Sequence, residues 1–369
     1  MTSLRSLLAS FGARSEPAPP IGVDFAGASL NMMQLAASPQ GTLVRAAVSI
    51  PYPTERARLL ADHRQLREFV RGALASAPFT GRRMFGALAP ADVRILPLTV
   101  ALAAGQTEQQ AVARAVRDQL GGASADSVVD YYQVRSADSG GAERQVLAAV
   151  APAPAVLGWL GTLRAAGLEP VALDIGPAAI ARLLAAMHSG DHGQSVLLIN
   201  FGATRSYLTV IWGRRLMLDR EIEFGETQLV DKLVRTLGLE PGTALALLRE
   251  HGIGAGAAPG REQAGADIGR TIGEILHPEF AALAEELVRT QVYVASRTRG
   301  SSVSRVYLNG SVARYANIQQ RIGVLVQLPV EVLDPFAAFA AADGAERGGN
   351  LVHGIALAAG LALRGIPNG

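Results

Sequence analysis

Residues 21–35, IGVDFAGASLNMMQL, combine one carboxylate with a run of small residues between two apolar stretches. Asp24 and Phe25 are followed by a turn of four small residues, Ala26, Gly27, Ala28 and Ser29. Small side chains let backbone N–H groups approach phosphate oxygens, and a carboxylate can hold the metal ion of a polyphosphate. Asn31, where a cationic side chain could grip the phosphate, is neutral. The sequence therefore predicts a phosphate-binding hairpin with a weak Mg²⁺ ligand, Asp24.

The same design recurs at residues 196–218, VLLINFGATRSYLTVIWGRRLML. Asn200 and Phe201 lie 176 positions after Asp24 and Phe25, and small residues follow again: Gly202, Ala203 and Thr204. A repeat at nearly half the chain length favours two similar domains with a cleft between two phosphate loops. The alternative is a pair of unrelated β-hairpins.

Composition limits the function classes. The 369 residues favour two domains, and 49% apolar with 18% charged residues is typical of a globular protein. The net charge is +2 and the basic residues are scattered, which disfavours a nucleic-acid partner. The absence of cysteine excludes disulfides and thiolate chemistry, and Lys232 is the single lysine. No apolar run reaches the roughly 20 residues of a membrane span, and the N-terminus lacks secretory features, so we expect a cytoplasmic protein.

The order of apolar patterns predicts three parts. Residues 1–20 form an amphipathic segment and a Pro-rich linker, with an apolar stripe at Leu4, Leu7, Leu8 and Phe11. Residues 21–190 form a first α/β domain, with an insert at about 92–168. Residues 191–369 form a second domain that ends in a helix. A long helical pattern from Ile268 to Arg297 is expected to break at Pro278.

Six segments in order carry a resemblance to a known family. They are DFAGASLNMMQL at 24–35, GLEPVALDI at 167–175, INFGATRSYLTV at 199–210, EFGETQL at 223–229, PVEVLDPF at 329–336 and GLALRG at 360–365. Together they resemble the PilM type IV pilus assembly proteins, which have an actin-like ATPase fold and are relatives of the divisome protein FtsA.

The resemblance implies an α/β fold of duplicated actin-like (ribonuclease H-like) domains facing a central cleft, with an inserted small α+β subdomain. It also implies ATP with Mg²⁺ as cofactors. The implied partners are the cytoplasmic tail of a PilN-like single-span membrane protein, other pilus or secretion platform proteins and another copy of the chain. The protein would then lie at the inner membrane through its partners. The implied nucleotide-binding positions are Asp24, Ala26, Gly27, Ala28, Ser29, Asn31, Asn200, Gly202, Ala203, Thr204, Gly225, Gly310 and Ser311.

The departures from the family pattern fall on those positions. Ala26 replaces a Gly, Asn31 a Lys, Asn200 an Asp and Ser311 a Gly. Leu245 and Leu248 stand where relatives place a ribose-contacting Glu and Lys, so a polar wall is expected to be apolar. An amide cannot neutralise phosphate or supply a full charge to Mg²⁺. We therefore expect a weakened nucleotide pocket and assign no catalytic residue.

Three functions stay open from the sequence. A pilus scaffold with a weakened pocket is favoured over an active ATP-dependent switch of the same family. A sugar-kinase-like phosphotransferase is disfavoured because Asn200 replaces the expected catalytic Asp. His188, Asp191 and His192 favour a solvated loop over a metal site, and the glycines of residues 251–260 favour a flexible loop over a dinucleotide fingerprint.

Overall fold

The structure, a computed structural model, describes residues 18–39, 41–103, 105–121, 126–134, 143–188, 194–213, 215–254, 263–298, 300–339 and 354–366. The N-terminal apolar stripe, the loop residues Asp191 and His192, and most of the glycine-rich segment at 251–260 lie outside these ranges.

The described strands are β1 (Ile21–Phe25), β2 (Ser29–Ser38), β3 (Gly41–Pro51), β4 (Arg83–Ala87), β5 (Arg94–Ala101), β6 (Ser127–Gln133), β7 (Glu143–Pro152), β8 (Glu169–Asp174), β9 (Ser195–Phe201), β10 (Ser206–Trp212), β11 (Arg215–Ile222), β12 (Val303–Gly310) and β13 (Val330–Val332). The described helices are α1 (Arg56–Ala61), α2 (His63–Ala75), α3 (Glu108–Leu120), α4 (Ala153–Ala165), α5 (Gly176–Met187), α6 (Glu226–Leu237), α7 (Pro241–His251), α8 (Gln263–Ile275), α9 (His277–Arg297), α10 (Ile318–Val326) and α11 (Ala356–Leu363).

Two five-stranded sheets have the same strand order, β3-β2-β1-β4-β8 and β11-β10-β9-β12-β13. Their hairpins also share one register, because Asp24 pairs with Asn31 and, 176 positions later, Asn200 pairs with Tyr207. A common order, direction and register in both halves confirms the predicted duplication over the alternative of two unrelated hairpins.

The inserted subdomain is a three-stranded antiparallel sheet of order β5-β7-β6, with α3 packed on one face. The three strands end at Pro152, and the predicted boundary of the insert at about residue 168 stays a prediction. The next helix, α4, places Leu163 with no exposed surface in the core of the first sheet. The same helix also contacts β6 and β7 of the small sheet.

The two large sheets share one apolar core around α5 and α11. Met33 and Leu35 of β2 join Val196 and Leu198 of β9 in this core. Contact is close enough to require glycine, since a Cβ on Gly22 of β1 would lie 2.0 Å from the carbonyl oxygen of Ala358 in α11. Residues from the second half of the chain thus complete the core of the first sheet.

The long helical pattern in the second domain is broken where the sequence predicts. Helix α8 ends at Ile275, and α9 begins at His277 with Pro278 in its first turn, where a missing N–H costs nothing. By contrast, α1 and α2 are separate helices without a proline between them, because Asp62 is extended and its side chain caps α2. Within the described ranges, no helix combines the length and apolar character needed to cross a membrane.

Candidate functional site

The first loop is closed by a network of side chains centred on Asn31. This residue is fully buried, and its Nδ2 donates a hydrogen bond of 3.2 Å to Asp24 Oδ2. Its Oδ1 accepts from the hydroxyls of Ser29 (3.1 Å) and Ser49 (2.7 Å). The Asn31 amide therefore bonds directly to the predicted metal ligand, Asp24, and is held by contacts with β1 and β3.

Opposing effects act on the pKa of Asp24. Burial raises its pKa to about 6, while the Asn31 hydrogen bond and the charge of Arg56 act in the opposite direction. Arg56 at the start of α1 donates from Nε to the Phe25 carbonyl at 3.1 Å, and the Tyr52 hydroxyl donates to the Ala26 carbonyl at 3.0 Å. Sequence reasoning missed Arg56 and Tyr52, because no pattern placed them beside the turn.

The turn at Ala26, Gly27 and Ala28 is the most exposed part of the first loop. Gly27 and Ala28 are exposed, Ala26 is partly buried, and a Cβ added at Gly27 would meet nothing within 4 Å. The loop is therefore open at its tip, and its base is tied down by the Tyr52 and Arg56 contacts.

The second loop is held by the start of α6. The Glu226 N–H donates to the Gly202 carbonyl (3.2 Å), and the Thr227 N–H donates to the Ala203 carbonyl (2.8 Å). A Cβ on Gly225 would lie 2.5 Å from the Ala203 carbonyl oxygen, so only glycine fits against this loop. The first N–H groups of a helix are a natural anion site, but here the loop itself accepts from them.

The turn after β12 packs on the second loop from the other side. Gly310 has φ +89°, and a Cβ there would lie 2.1 Å from the Phe201 carbonyl oxygen. The Ser311 N–H donates to that same carbonyl at 2.9 Å, and the Ser311 hydroxyl donates to the Gly202 carbonyl at 3.1 Å. The predicted pair Gly310 and Ser311 therefore lies directly against the predicted loop, with Thr204 exposed at its tip.

Asn200 takes part in an amide pair across two parallel strands. Asn309 Nδ2 donates to Asn200 Oδ1 at 3.0 Å, and Asn309 is 8% exposed. Among the described residues, Asn309 Oδ1 is one of the buried polar atoms with no hydrogen-bond partner. Where a carboxylate could orient Mg²⁺-bound water, this position offers an amide already used by its neighbour.

The expectation that Leu245 and Leu248 form an apolar cleft wall needs correction. Leu248 has no exposed surface and lies in the core of the second sheet, and Leu245 packs against the same core. Nearby, the Tyr315 hydroxyl donates to Glu226 Oε1 at 2.5 Å. Both leucines therefore belong to the core of the second sheet, and the nearby Tyr315 and Glu226 side chains pair with each other.

The two loops face the same cleft. Side chains alternate between the faces of a strand, and Met33 and Leu198 both point into the core shared by the two sheets. Asn31 lies two residues before Met33 and Asn200 two residues after Leu198, so both have the same orientation. The structure thus brings the first loop, the second loop and the Gly310 turn to the shared side of the two sheets.

The predicted nucleotide positions offer one carboxylate and no cationic side chain. Mg²⁺ is usually held by one or two carboxylates together with phosphate oxygens and waters, and here Asp24 is the one predicted carboxylate. Across the described residues, no three His, Cys, Asp or Glu side chains group to hold a metal ion. Lys232, the single lysine, lies in α6 and pairs with Glu279 at 4.0 Å. Asp24 is therefore the residue of this set that would hold Mg²⁺, and the weakness of the site stays a prediction.

Three solved structures are similar to this chain to different degrees. The solved structure of a PilM–PilN type IV pilus biogenesis complex matches 95% of this chain and 99% of that chain, with 22% identity and a TM-score of 0.75. The ethanolamine utilization protein EutJ from Carboxydothermus hydrogenoformans matches at 15% identity over 97% and 96% of the two chains, with a TM-score of 0.49. MreB5 of Spiroplasma citri bound to ADP matches at 12% identity over 87% and 94%, with a TM-score of 0.44.

The family model for type IV pilus assembly protein PilM matches residues 22–366, nearly all of the described structure. The chain therefore belongs to the PilM family of type IV pilus assembly proteins and has its actin-like fold.

Proposed function

We propose that this protein is a cytoplasmic scaffold of a type IV pilus or related secretion platform, with a weakened nucleotide site. It lies at the inner membrane by binding the cytoplasmic tail of a PilN-like single-span membrane protein. The proposal is supported by family membership and by the solved PilM–PilN complex, whose PilM chain has a similar fold. The observation that carries it in this chain is an open strand edge on the inserted subdomain.

Strand β6 is an edge strand with a regular set of outward-facing backbone groups. Val134 N–H donates to the Gln145 carbonyl, so residues 128, 130 and 132 bond to β7 in the antiparallel ladder. The N–H and C=O groups of Val129, Tyr131 and Gln133 therefore point away from the sheet. A cavity of about 410 Å³ lies along this edge, lined by Gln109, Val129, Asp130, Tyr131 and Gln133.

The opposite edge of the same sheet is interrupted by a proline. Strand β5 pairs with β7 so that Pro97, opposite Leu147, faces outward, where proline has no N–H to offer. The outward Tyr131 N–H donates a hydrogen bond to the side chain of the preceding residue, with Asp130 Oδ1 at 2.8 Å. An extended peptide could replace this one local hydrogen bond and pair along β6 by strand addition.

The test uses proline substitutions on the two edges of this sheet. Tyr131→Pro removes an outward N–H from β6, and Thr99→Pro removes an outward N–H from β5, while both leave the bonds to β7 intact. Binding is measured by fluorescence anisotropy with the cytoplasmic peptide of the neighbouring single-span membrane protein. We expect Tyr131→Pro to weaken binding by up to about tenfold, since one main-chain hydrogen bond is lost.

Equal weakening by both proline variants, or equal binding by both, would place the partner elsewhere. Deletion of residues 92–168 is a poor test, because it removes Leu163 from the core of the first sheet. Added Mg-ATP should leave peptide affinity unchanged.

A retained ATP switch is the second candidate, and Arg56 favours it. Its charge acts on Asp24 and could neutralise a phosphate in place of the missing lysine. Calorimetry with Mg-ATP separates the two candidates.

A further inference from the structure

One buried carboxylate joins three separate parts of the chain. The Asp174 side chain is 1% exposed, and its Oδ2 lies 2.9 Å from Arg182 Nη2 and 3.2 Å from Arg364 Nη1. Its Oδ1 accepts from the Tyr132 hydroxyl at 2.9 Å and from the Ile175 N–H at 2.8 Å. Both oxygens are therefore saturated by donors that come from different elements.

The three side-chain donors belong to elements with different neighbours. Tyr132 is on β6 of the insert, Arg182 is on α5, and Arg364 follows α11 directly. Arg182 Nη1 also donates to the Gly360 carbonyl of α11 at 2.7 Å, and Arg364 Nη1 donates to the Leu173 carbonyl at 3.2 Å. The insert and α11 thus share one acceptor, and a shift of either changes the bonds available to the other.

The far end of α11 reaches the first loop. A Cβ on Gly354, two residues before α11, would lie 3.2 Å from Asn31 Oδ1 and 3.5 Å from Ser49 Oγ. Gly22 and Gly360 hold the helix in direct backbone contact with β1 and α5, which leaves no space for sliding. Helix α11 therefore connects the Asn31 network with the Asp174 cluster, over about 12 Å for eight residues.

We propose that Asp174 is a positioning residue that couples the orientation of β6 in the insert to α11 and, through it, to the Asn31 loop. The effect on a partner at the β6 edge rests on the proposed function, whereas the coupling itself is a property of the isolated chain. Coupling between two elements is reciprocal, so a change at either end must be detected at the other.

Hydrogen–deuterium exchange on the full chain without peptide tests the coupling. Tyr132→Phe removes only the hydroxyl that donates to Asp174. Tyr207→Phe is the matched control, since its hydroxyl donates to Glu221 Oε2 at 2.7 Å in the second domain. We expect Tyr132→Phe to speed exchange about tenfold or more in residues 127–134 and also in residues 354–366. Tyr207→Phe should leave both segments as in the wild type.

The reciprocal variant is Arg364→Lys, which keeps the charge but loses the guanidinium geometry. It should also speed exchange in residues 127–134. If either variant changes only the segment that carries it, or if Tyr207→Phe has the same effect, the coupling is refuted. Because no peptide is present, this result is independent of whether the β6 edge binds a partner.

Discussion

The Asn31 amide joins the side chains at the base of the first loop to one another. It donates to Asp24 and accepts from Ser29 and Ser49, so these side chains already have partners within the chain. A nucleotide that used them would have to break these contacts, and each lost hydrogen bond costs about 1 kcal/mol. This cost lowers the affinity that we expect for an anion at the hairpin.

We therefore expect weak Mg-ATP binding by the wild type, with a dissociation constant well above the low micromolar range in calorimetry. The double variant Asn31→Lys with Asn200→Asp should bind more tightly, because it restores one cation and one carboxylate in the cleft. Low micromolar binding by the wild type that is lost in Arg56→Gln would instead support the ATP switch.

Two carboxylates of β11 should respond to pH in opposite directions. Burial raises the pKa of Asp219 to about 7. The charge of Glu221 also raises this pKa, whereas the Thr209 hydrogen bond lowers it. The Tyr207 and Arg205 hydrogen bonds hold the pKa of Glu221 below its usual range. Asp219 therefore stabilises the fold most when protonated, and this contribution is lost as pH rises through about 7. Glu221 stabilises above its ordinary pKa and loses this contribution in acid.

Denaturant unfolding at pH 5 and pH 8 checks this contrast. Asp219→Asn should be more stable than the wild type by about 1 kcal/mol or more at pH 8, with a smaller difference at pH 5. Glu221→Gln should be slightly destabilised at pH 8, since its ion pair is exposed to solvent. Destabilisation by Asp219→Asn at pH 8 would contradict the raised pKa.

At the residue scale, the sequence could predict which charged side chains of the family pattern are absent, but not which contacts the residues in their place make. The Asp24 and Asn31 pair follows from a two-strand hairpin, and its position was predictable. Ser49 comes from a third strand, and its contact depends on the β2–β3 register, which includes a shift between Gln34 and Leu35. Leu248 was misread for a related reason, because the buried face of a helix depends on the sheet it covers.

Helix α11 is held in place by close backbone contacts that leave no space for a side chain. It is apolar on every side, as expected of a helix surrounded by core rather than lying at a surface. A Cβ on Gly360 would lie 2.1 Å from the Ala179 carbonyl oxygen in α5, whereas a Cβ on Gly161 of α4 would meet nothing within 4 Å. The two glycines have the same helical context and opposite packing.

Alanine substitution should separate these two cases. Gly360→Ala should destabilise the protein by roughly 1–3 kcal/mol or more, because neither backbone can move away. Gly161→Ala should stabilise it by about 0.5–1 kcal/mol through helix propensity alone. The measurement is the free energy of unfolding in urea, and similar values for both variants would mean that α11 is not in close contact with α5.

Element boundaries were predictable where a single residue decides them. Pro278 has no N–H, so the break between α8 and α9 was visible in the sequence. The packing of α4 was not visible in the same way, because this helix is apolar around most of its circumference and gives no sign of which sheet it covers. That assignment depends on Leu163 and on the Trp159 Nε1 hydrogen bond to the Ala87 carbonyl, which are long-range contacts.

At the scale of the whole molecule, the shared core around α5 and α11 links the two domains. Apolar residues of β2, β9 and α11 belong to one cluster, so neither sheet retains its core alone. We therefore expect the two large domains to unfold together rather than in sequence.

The two tryptophans of the chain can report on this directly. Trp159 packs edge-to-face on Phe25 beside the first sheet, and Trp212 lies in the core of the second sheet. The variants Trp159→Phe and Trp212→Phe each keep one tryptophan. Within each variant, the urea midpoint from tryptophan fluorescence should equal the midpoint from circular dichroism, which reports on both domains. Separate midpoints within one variant would show that the domains unfold independently.

The proline on the β5 edge also limits how copies of this chain could assemble through the small sheet. A sheet with two open edges can pair with another copy at both edges and grow into an open-ended ladder. Here Pro97 removes one outward N–H from β5, which disfavours strand addition on that side. Copies that met through β6 alone would therefore form a closed twofold dimer rather than a growing chain.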